Sequence, residues 1–292
     1  MRKFLDSIIG AVLAPLFLLT FSSCEKVVIS EENETGDLGG NLRISVFQIE
    51  KTPFASLTRA TVEDVCSRLN FAIYDQSGAR LKQANQTSDM ADFGHVSFQL
   101  EPGTYQVVVV AHSSNGNPTM TNPNKIQFSN TLGFTDTFLF YGEVTVDEDQ
   151  VALEVSLDRI VSLCRFVVTD DFPANVKKMR FYYTGGSGAF DAATGLGCVN
   201  SKQDVKFDVV ADQNQFDLYT FLHDMEGTIH LTVTALDASG NELYNRSFDV
   251  PMEQNHITWL SGAFFDGSAS SATTITTVTI NTNWAGESFI EF

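Results

Sequence analysis

The sequence predicts an all-β protein built from two β-sandwiches in tandem. Three observations predict this fold class. Short stretches alternate apolar and polar residues with a period of two, as half-buried strands do. Turn sequences rich in Gly, Asn and Asp separate these stretches at short intervals. Long helical periodicity is missing from the sequence after residue 40, and a succession of short strands and turns is typical of sandwiches.

The first series of predicted strands lies within residues 41–158. It opens with Leu42, Ile44 and Val46, which alternate with polar residues. A short helix is expected from Thr61 to Arg68, where a threonine can cap the first turn. The other strands expected in this series are 69–74, 96–100, 105–111, 138–146 and 151–157.

The second series lies within residues 159–292, with the domain boundary placed near Asp158. The stretch from Asn70 to Gly78 is echoed by that from Thr232 to Gly240, since each is a strand that leads into an Asp-x-Ser-Gly turn. This echo favours a duplicated sandwich. The strands expected here are 160–169, 179–183, 205–210, 216–221, 229–236, 243–250, 257–265 and 275–282.

The charge of the chain excludes some classes of partner. The formal net charge is −18 at pH 7. A surface this acidic repels phosphate backbones, so we expect no binding to nucleic acid. It also argues against binding to anionic lipid by charge alone.

The N-terminus resembles a bacterial lipoprotein signal peptide. Arg2 and Lys3 precede an apolar run from Ile8 to Phe21, which is too short to span a membrane and fits a secretory signal. Small residues then precede Cys24, as in the lipobox read by lipoprotein signal peptidase, although Phe21 stands where leucine is usual. We predict a signal peptide over residues 1–23, cleavage between Ser23 and Cys24, and a lipid on the thiol of Cys24. The alternative is an ordinary signal peptide with an incidental cysteine.

Lipid on Cys24 would fix the chain to a bilayer, because two or three acyl chains together make release negligible. Residues 24–40 follow as an acidic, Asn- and Gly-rich stretch and read as a flexible tether. The chain is therefore expected to be lipid-anchored to a membrane, and the sequence alone leaves open whether it faces the periplasm or the cell exterior.

Three further cysteines, Cys66, Cys164 and Cys198, leave the disulfide state open. An odd number permits at most one internal disulfide and leaves one thiol over. Cys164 lies in an apolar run, where a buried thiol is the commoner arrangement.

The sequence shows no catalytic or metal-binding signature. The five histidines are scattered without metal-ligand spacing. The segment from Gly185 to Gly188 approaches a nucleophile elbow, but Ala189 stands where the motif needs its last glycine. Residues 147–149 are acidic but lack the spaced oxygen ligands of a calcium loop. We therefore expect a protein without enzymatic activity, metal or cofactor.

Several short motifs in a fixed order carry a resemblance to a known family. They are Thr58-Arg59-Ala60, Glu101-Pro102-Gly103-Thr104-Tyr105, Phe140-Tyr141-Gly142, Leu157-Asp158-Arg159-Ile160-Val161, Asn255-His256-Ile257-Thr258-Trp259-Leu260-Ser261-Gly262 and a terminal Trp284. Following a lipobox in this order, they make the sequence resemble the FimB/Mfa2-type fimbrial subunits of Bacteroidales.

The resemblance implies two transthyretin-like β-sandwich domains after a lipoprotein signal peptide. It also implies a structural role in a surface fimbria, with fimbrial shaft subunits as partners through β-strand exchange. In such exchange a partner strand pairs with an open sheet and fills its side-chain pockets. Anchor members of the family keep their lipid and hold the fibre at the outer membrane.

Arg59 leaves two roles open. If an arginine-specific protease cuts between Arg59 and Ala60, the strand at residues 41–50 and the lipid leave together, and the product is a shaft or tip subunit. If Arg59 is an ordinary loop residue, the lipid stays and the protein is an anchor, which is the role that we favour. The β-branched stretch from Thr273 to Asn281 is either a donor strand or the last strand of the second sandwich.

A surface glycan-binding lipoprotein is the alternative from another class, since bacteria export many β-sandwiches of that kind. Such proteins usually present several exposed aromatic rings. This chain has only two tryptophans, Trp259 and Trp284, and Trp259 lies in an apolar predicted strand.

Replacement of Cys24 by serine tests the lipid prediction. C24S removes the thiol that accepts the diacylglycerol, so the protein should stall unprocessed or be lost from the membrane fraction. Fractionation of cells followed by mass spectrometry of the protein measures both outcomes. The matched control is C198S, which should stay in the membrane fraction. Correct processing and membrane retention of C24S would contradict the prediction.

Overall fold

The computed structural model describes residues 40–49, 62–129, 133–266, 274–276 and 284–292. These residues are almost entirely β-structure, with one single-turn helix, α1 (Val62–Val65), among them. The strands are β1 (Leu42–Ile49), β2 (Arg68–Tyr74), β3 (Arg80–Thr87), β4 (His95–Phe98), β5 (Gly103–His112), β6 (Thr119–Asn122), β7 (Lys125–Gln127), β8 (Thr137–Val146), β9 (Val151–Arg159), β10 (Ser162–Val168), β11 (Lys178–Gly186), β12 (Ala189–Phe190), β13 (Ser201–Asp208), β14 (Gln215–Thr220), β15 (Glu226–Leu236), β16 (Glu242–Glu253), β17 (His256–Gly262), β18 (Thr274–Thr276) and β19 (Gly286–Glu291). No helix among the described residues is long and apolar enough to cross a bilayer.

The N-terminal sandwich is one seven-stranded sheet that folds back on itself. Its order is β3-β2-β5-β8-β9-β1-β4. β8 and β9 pair only where Phe138 faces Arg159 and Leu139 faces Asp158, so the sheet divides there into two halves. The apolar side chains of both halves, such as Leu42, Phe71 and Val107, pack into one buried core.

The C-terminal sandwich consists of two separate sheets. One has the order β13-β11-β15-β16 and the other β14-β10-β17-β19-β18. Their facing side chains form a second core that is rich in phenylalanine, including Phe166, Phe181 and Phe216. Pairs of these rings lie at the separations of about 4.5–7 Å that aromatic side chains favour; Phe166 and Phe181 are 5.4 Å apart.

The two sandwiches share one topology. The sheet order β3-β2-β5-β8 of the first is repeated as β13-β11-β15-β16 in the second, and β4-β1-β9 is repeated as β14-β10-β17. In each sandwich the first strand is antiparallel to the fourth strand of the motif and parallel to the seventh. The predicted fold class of two tandem β-sandwiches is confirmed. The second sandwich adds β19 and β18 beyond its seventh strand.

The sequence echo between residues 70–78 and 232–240 lies on strands that are not equivalent. The first leads from β2 to β3, whereas the second leads from β15 to β16, and the topological equivalent of β2–β3 is β11–β13. The two turns are nevertheless built alike. Asp75 Oδ1 accepts hydrogen bonds from the N–H groups two and four residues on, and Asp237 Oδ1 does the same. The echo reports a shared turn chemistry rather than the duplication itself.

Strand pairing and aromatic packing join the two sandwiches. β12 of the second half pairs antiparallel with β7 of the first, through Phe190 opposite Ile126. Around this pair a third buried cluster draws residues from both halves, among them Phe128, Phe134 and Phe221. The rings of Phe134 and Phe221 lie 5.2 Å apart. The described residues from 40 onwards therefore belong to one compact unit, and the predicted boundary near Asp158 stays a prediction.

The predicted helix from Thr61 to Arg68 is shorter in the structure. α1 makes a single turn, in which Cys66 N–H donates to Val62 C=O at 3.1 Å. β2 already begins at Arg68, because Leu69, Phe71 and Ile73 point into the core with the period of a strand. The period of two prevails over the helix-start signal.

A buried polar network lies on the outer side of β2 and β5. The backbone N–H of Ser114 donates to His112 Nδ1 at 3.1 Å, so the ring proton is on Nε2, which donates to Asn70 Oδ1 at 2.7 Å. Asn70 Nδ2 donates in turn to Asn85 and Asn117. Burial, together with the nearby charge of Arg68, lowers the pKa of His112 from 6.5 to about 4.

This lowered pKa predicts a loss of stability on acidification. Above pH 6.5 His112 is neutral in both the folded and the unfolded states, so its contribution is fully present. Below pH 6.5 the unfolded chain takes up a proton that the folded protein does not, and stability falls until about pH 4. Between pH 7 and 4.5 this amounts to about 2 to 3 kcal/mol. H112Q should show a correspondingly smaller loss in denaturant titrations at the two pH values. H223Q, at an exposed histidine, is the control, and equal losses in H112Q and the parent would contradict the prediction.

Candidate functional site

The candidate site is the slot that β1 fills in the N-terminal sandwich. β1 lies between β4 and β9, antiparallel to the first and parallel to the second. Its pairing with β9 runs over seven positions, from Leu42 opposite Val151 to Ile49 opposite Leu157. Both edges of β1 are therefore hydrogen-bonded, and the strand is an interior strand of its sheet half.

The side chains of β1 fit its central position. Leu42 and Ile44 are 0% and 1% exposed, and Val46 and Ile49 are also buried. The register with β9 shifts between Val46 and Gln48, a bulge that leaves Phe47 64% exposed. Burying a side chain of the size of valine, leucine or isoleucine contributes about 1.5–3 kcal/mol. The four inward residues of β1 therefore hold this strand firmly in its slot.

Polar contacts hold the N-terminal end of β1. The Asn41 side chain donates to Leu100 C=O and accepts from Leu100 N–H, both at 2.9 Å. Gln150 Nε2 donates to Gly40 C=O at 3.1 Å. A Cβ on Gly40 would lie 2.3 Å from Ser97 Oγ. Gly40, the last residue of the predicted tether, is thus buried against β4, and the backbone enters the sheet where no side chain fits.

The predicted processing and lipidation residues lie outside the described residues. Ser23 and Cys24 precede them, and Arg59 and Ala60 fall between β1, which ends at Ile49, and α1, which begins at Val62. This position has a consequence for the chain. A cut between Arg59 and Ala60 would separate β1 from every other described strand.

A second feature is the C-terminal strand β19, which the sequence analysis missed. It lies parallel to β17 over six positions, from His256 opposite Gly286 to Ser261 opposite Glu291. The stretch predicted as a donor or last strand, Thr273 to Asn281, contains β18, which pairs with β19 over three positions. β18 therefore forms the sheet edge and β19 is the last strand. The sequence of β19 does not alternate, because its two large apolar residues, Phe289 and Ile290, are adjacent, so it gave no periodic signal for a strand.

A ladder of side chains ties β19 to the rest of its sheet. Arg165 donates twice to Asp217, at 2.8 Å each, and these hydrogen bonds raise the pKa of Arg165. The guanidinium of Arg165 lies 4.9 Å from the ring centroid of Trp259. Phe289 stacks on Trp259 at 5.5 Å with nearly parallel planes, and Trp259 Nε1 donates to Glu287 at 3.2 Å. Both faces of the Trp259 ring are covered.

The segment before β19 is fixed at the junction of the two sandwiches. The Arg159 guanidinium is almost fully buried and bonds both carboxylate oxygens of Asp136, at 2.7 and 2.9 Å. Its carbon lies 4.0 Å from the ring centroid of Trp284, and the Tyr219 ring lies 6.3 Å from the same ring. Arg159 also donates to Asn255 Oδ1 at 3.2 Å.

The residue after β19 packs into the C-terminal core. The ring of Phe292 lies 5.2 Å from that of Phe166 and 4.7 Å from that of Phe248. The guanidinium of Arg246 lies 4.8 Å from the ring of Phe292. Phe292 N–H donates to Ser261 C=O at 2.9 Å. β19 is therefore held at both of its ends.

The thiol of Cys164 is buried, and the described acidic groups form no metal-holding cluster. Cys66 and Cys164 are buried, and Cys164 and Cys198 are free thiols. Burial raises the pKa of Cys164 to about 12, so its thiol stays protonated and poorly nucleophilic. In the part of the chain that the structure describes, no three His, Cys, Asp or Glu residues are grouped to hold a metal ion.

The architecture defines a protein of two β-sandwiches whose first strand fills an interior slot. A family model described as a family of unknown function, DUF6562, matches residues 35–291. The chain belongs to this family. The matched region begins before β1, so the match includes β1. No curated protein matches the chain significantly.

Solved structures with a similar fold include fimbrial proteins of Bacteroidales. A fimbrial assembly protein from Parabacteroides distasonis is 16% identical with a TM-score of 0.42, covering 76% of this chain and 89% of its own. The fimbrial anchor protein Mfa2 from Porphyromonas gingivalis is 12% identical with a TM-score of 0.41, covering 70% and 80%. The tip fimbrial protein Mfa3 from the same organism is 13% identical with a TM-score of 0.37, covering 72% and 80%. Mfa2 and Mfa3 are thus among the solved structures to which this chain is similar.

Truncation of an inward residue of β1 tests how tightly the slot holds its strand. I44A removes a buried side chain and leaves a cavity, so it should lower the free energy of unfolding by about 2 to 4 kcal/mol. F47A, on the same strand at the exposed bulge, should change it by no more than about 0.5 kcal/mol. Urea titration followed by circular dichroism measures both. Equal effects of the two substitutions would show that β1 is not seated as described.

Proposed function

We propose that this chain is a non-enzymatic structural subunit of a surface fimbria, namely the lipid-linked anchor that joins the fibre to the outer membrane. The observation that carries the proposal is the position of β1. The strand that directly follows the predicted lipid tether is an interior strand with four buried apolar residues. A lipid on Cys24 would thus be connected through a short segment to the middle of a sheet.

Retention of β1 would distinguish the anchor from the other fimbrial roles. In a shaft or tip subunit, cleavage after Arg59 would release β1 and leave a slot between β4 and β9. A donated strand could then pair with both edges of the slot and fill the positions of Leu42, Ile44 and Val46. A cut after Arg59 would therefore create the open groove that the shaft or tip alternative requires. An uncut chain keeps its slot filled and its tether attached, as an anchor requires.

An anchor with a filled slot must offer the fibre a strand of its own. β18 is a short strand at the edge of its sheet, where it pairs with β19 over three positions. It lies within the β-branched stretch from Thr273 to Asn281, which suits a donor. We propose that this stretch exchanges into the slot of a fimbrial shaft subunit, which would be the partner of this chain.

The contacts of the tryptophans weigh against glycan binding as the alternative. Sugar platforms need an aromatic face that is free of protein contacts. Arg165 and Phe289 cover the two faces of Trp259. Trp284 carries the guanidinium of Arg159 at 4.0 Å and has Tyr219 beside it. Both tryptophan rings are in contact with other side chains of the protein.

Mass spectrometry of the mature N-terminus, on protein isolated from the cell surface, tests the anchor role. The expected product begins with acylated Cys24 and contains peptides that run through Arg59. R59A should leave this product unchanged, because the anchor is not cut there. A mature chain that begins at Ala60 in the parent, but not in R59A, would contradict the anchor role and support the shaft or tip alternative. The partner is tested separately by co-purification: a fibre subunit should co-purify with the intact chain, and not with a chain that lacks residues 273–281.

A further inference from the structure

The path of the chain places the first and seventh strands of each sandwich side by side and parallel. β1 and β9 pair over seven positions, and β10 and β17 pair over six. β19 extends the same arrangement by pairing parallel to β17 over six positions. In every pair, the start of the earlier strand and the end of the later strand lie at opposite ends.

This arrangement determines how the hydrogen bonds respond to tension. Tension applied to the start of β1 and the end of β9 acts along the strands and across the bonds between them. All of these bonds are then loaded at once, and the even spacing of a parallel ladder shares the force among them. Tension applied to the two starts would instead peel the pair apart one bond at a time.

We propose that the β1–β9 and β10–β17–β19 ladders are two shear clamps in series that resist tension along the chain. The inference rests on the proposed anchoring function, which supplies a membrane tether on one side and a fibre on the other. The clamps would let the subunit stay folded while the fibre is pulled.

The contacts around β1 strengthen the first clamp. β4 pairs with the opposite edge of β1 over four positions, so sliding must break both ladders together. Sliding must also draw Leu42, Ile44 and Val46 out of the core in one movement. Asn41 and Gln150 bond the backbone where tension from the tether arrives.

The connection between the two clamps is short and braced. Only Ile160 and Val161 separate the end of β9 from the start of β10, and both are buried. Arg159 bonds Asp136 of the first sandwich and Asn255 of the second. Tension therefore passes from one ladder to the next through a fixed junction.

Tension can leave the second clamp through β17 or through β19, and side-chain contacts oppose sliding in both cases. If tension leaves through β17, the chain passes residues 264–266, whose three N–H groups donate to the Asp170 carboxylate at 2.6–3.0 Å. If it leaves through β19, the stacking of Phe289 on Trp259 and the packing of Phe292 oppose sliding. The proposal holds for a donor stretch at β18 and for force applied at β19.

Single-molecule force spectroscopy on the mature chain with C24S and C198S tests the clamps. Peptide tags at both ends and a third attachment at D149C, in the turn before β9, allow the same protein to be pulled in two directions. The two ends load β1 and β9 in shear, whereas the N-terminus and residue 149 peel them. Since the protein is identical, its equilibrium stability is the same in both cases. The released length, about 3.5 Å per residue, identifies which part unfolded.

The expected result is an unfolding force several-fold higher between the two ends than between the N-terminus and residue 149. I44A should lower the first force much more than F47A. Equal forces in the two directions, or a lower force between the ends, would overturn the proposal. The measurement needs no lipid, so strong clamps in a protein that proves to lack acylated Cys24 would reject the proposed function alone.

Discussion

The seating of β1 between β4 and β9 is the constraint on which the N-terminal sandwich depends. Without it, β4 would lose the strand that connects it to its sheet, and the apolar side chains of β9 would face an empty slot. The strand is also the first described element after the predicted tether. The same pairing therefore stabilises the fold and, under the proposed function, separates the anchor role from the shaft or tip role.

Insertions into the duplicated topology explain how the two sandwiches form one compact unit. Each copy has its own core, and neither needs the other to complete a sheet. The insertions that carry β6, β7 and β12 supply what duplication alone would not. They bring a strand of one copy against a strand of the other and bury the rings of Phe128, Phe190 and Phe221 between them. The junction is therefore part of the protein's interior, where packed side chains and paired strands hold the two sandwiches together.

Much of this fold could be predicted from alternation in the sequence. Strands with an alternating pattern, such as β9, β11 and β15, follow the period of two closely, and the sequence predicts them near their observed bounds. β3 was missed because it is an edge strand whose side chains are mostly polar and exposed. β12 was missed because two residues leave no periodic signal. Pairing between distant strands, including β19 with β17, depends on tertiary contacts that no local pattern contains.

The candidate site was only partly accessible from sequence. The predicted lipobox and Arg59 indicate where the chain would be processed. The alternation in residues 42–46, between these two positions, predicts a strand. That this strand occupies the middle of a sheet half is a property of the topology. The roles of Trp259 and Trp284 were likewise hidden, since their partners Arg165, Phe289 and Arg159 lie far away in the sequence.

The placement of these two tryptophans has a spectroscopic consequence. They are the only tryptophans in the chain, and both contact the C-terminal segment or stand at its start. Indole emission from this protein is therefore a local reporter of whether β19 is docked. Trp284, which lies against Arg159 at the end of β9, additionally reports on the junction between the two sandwiches.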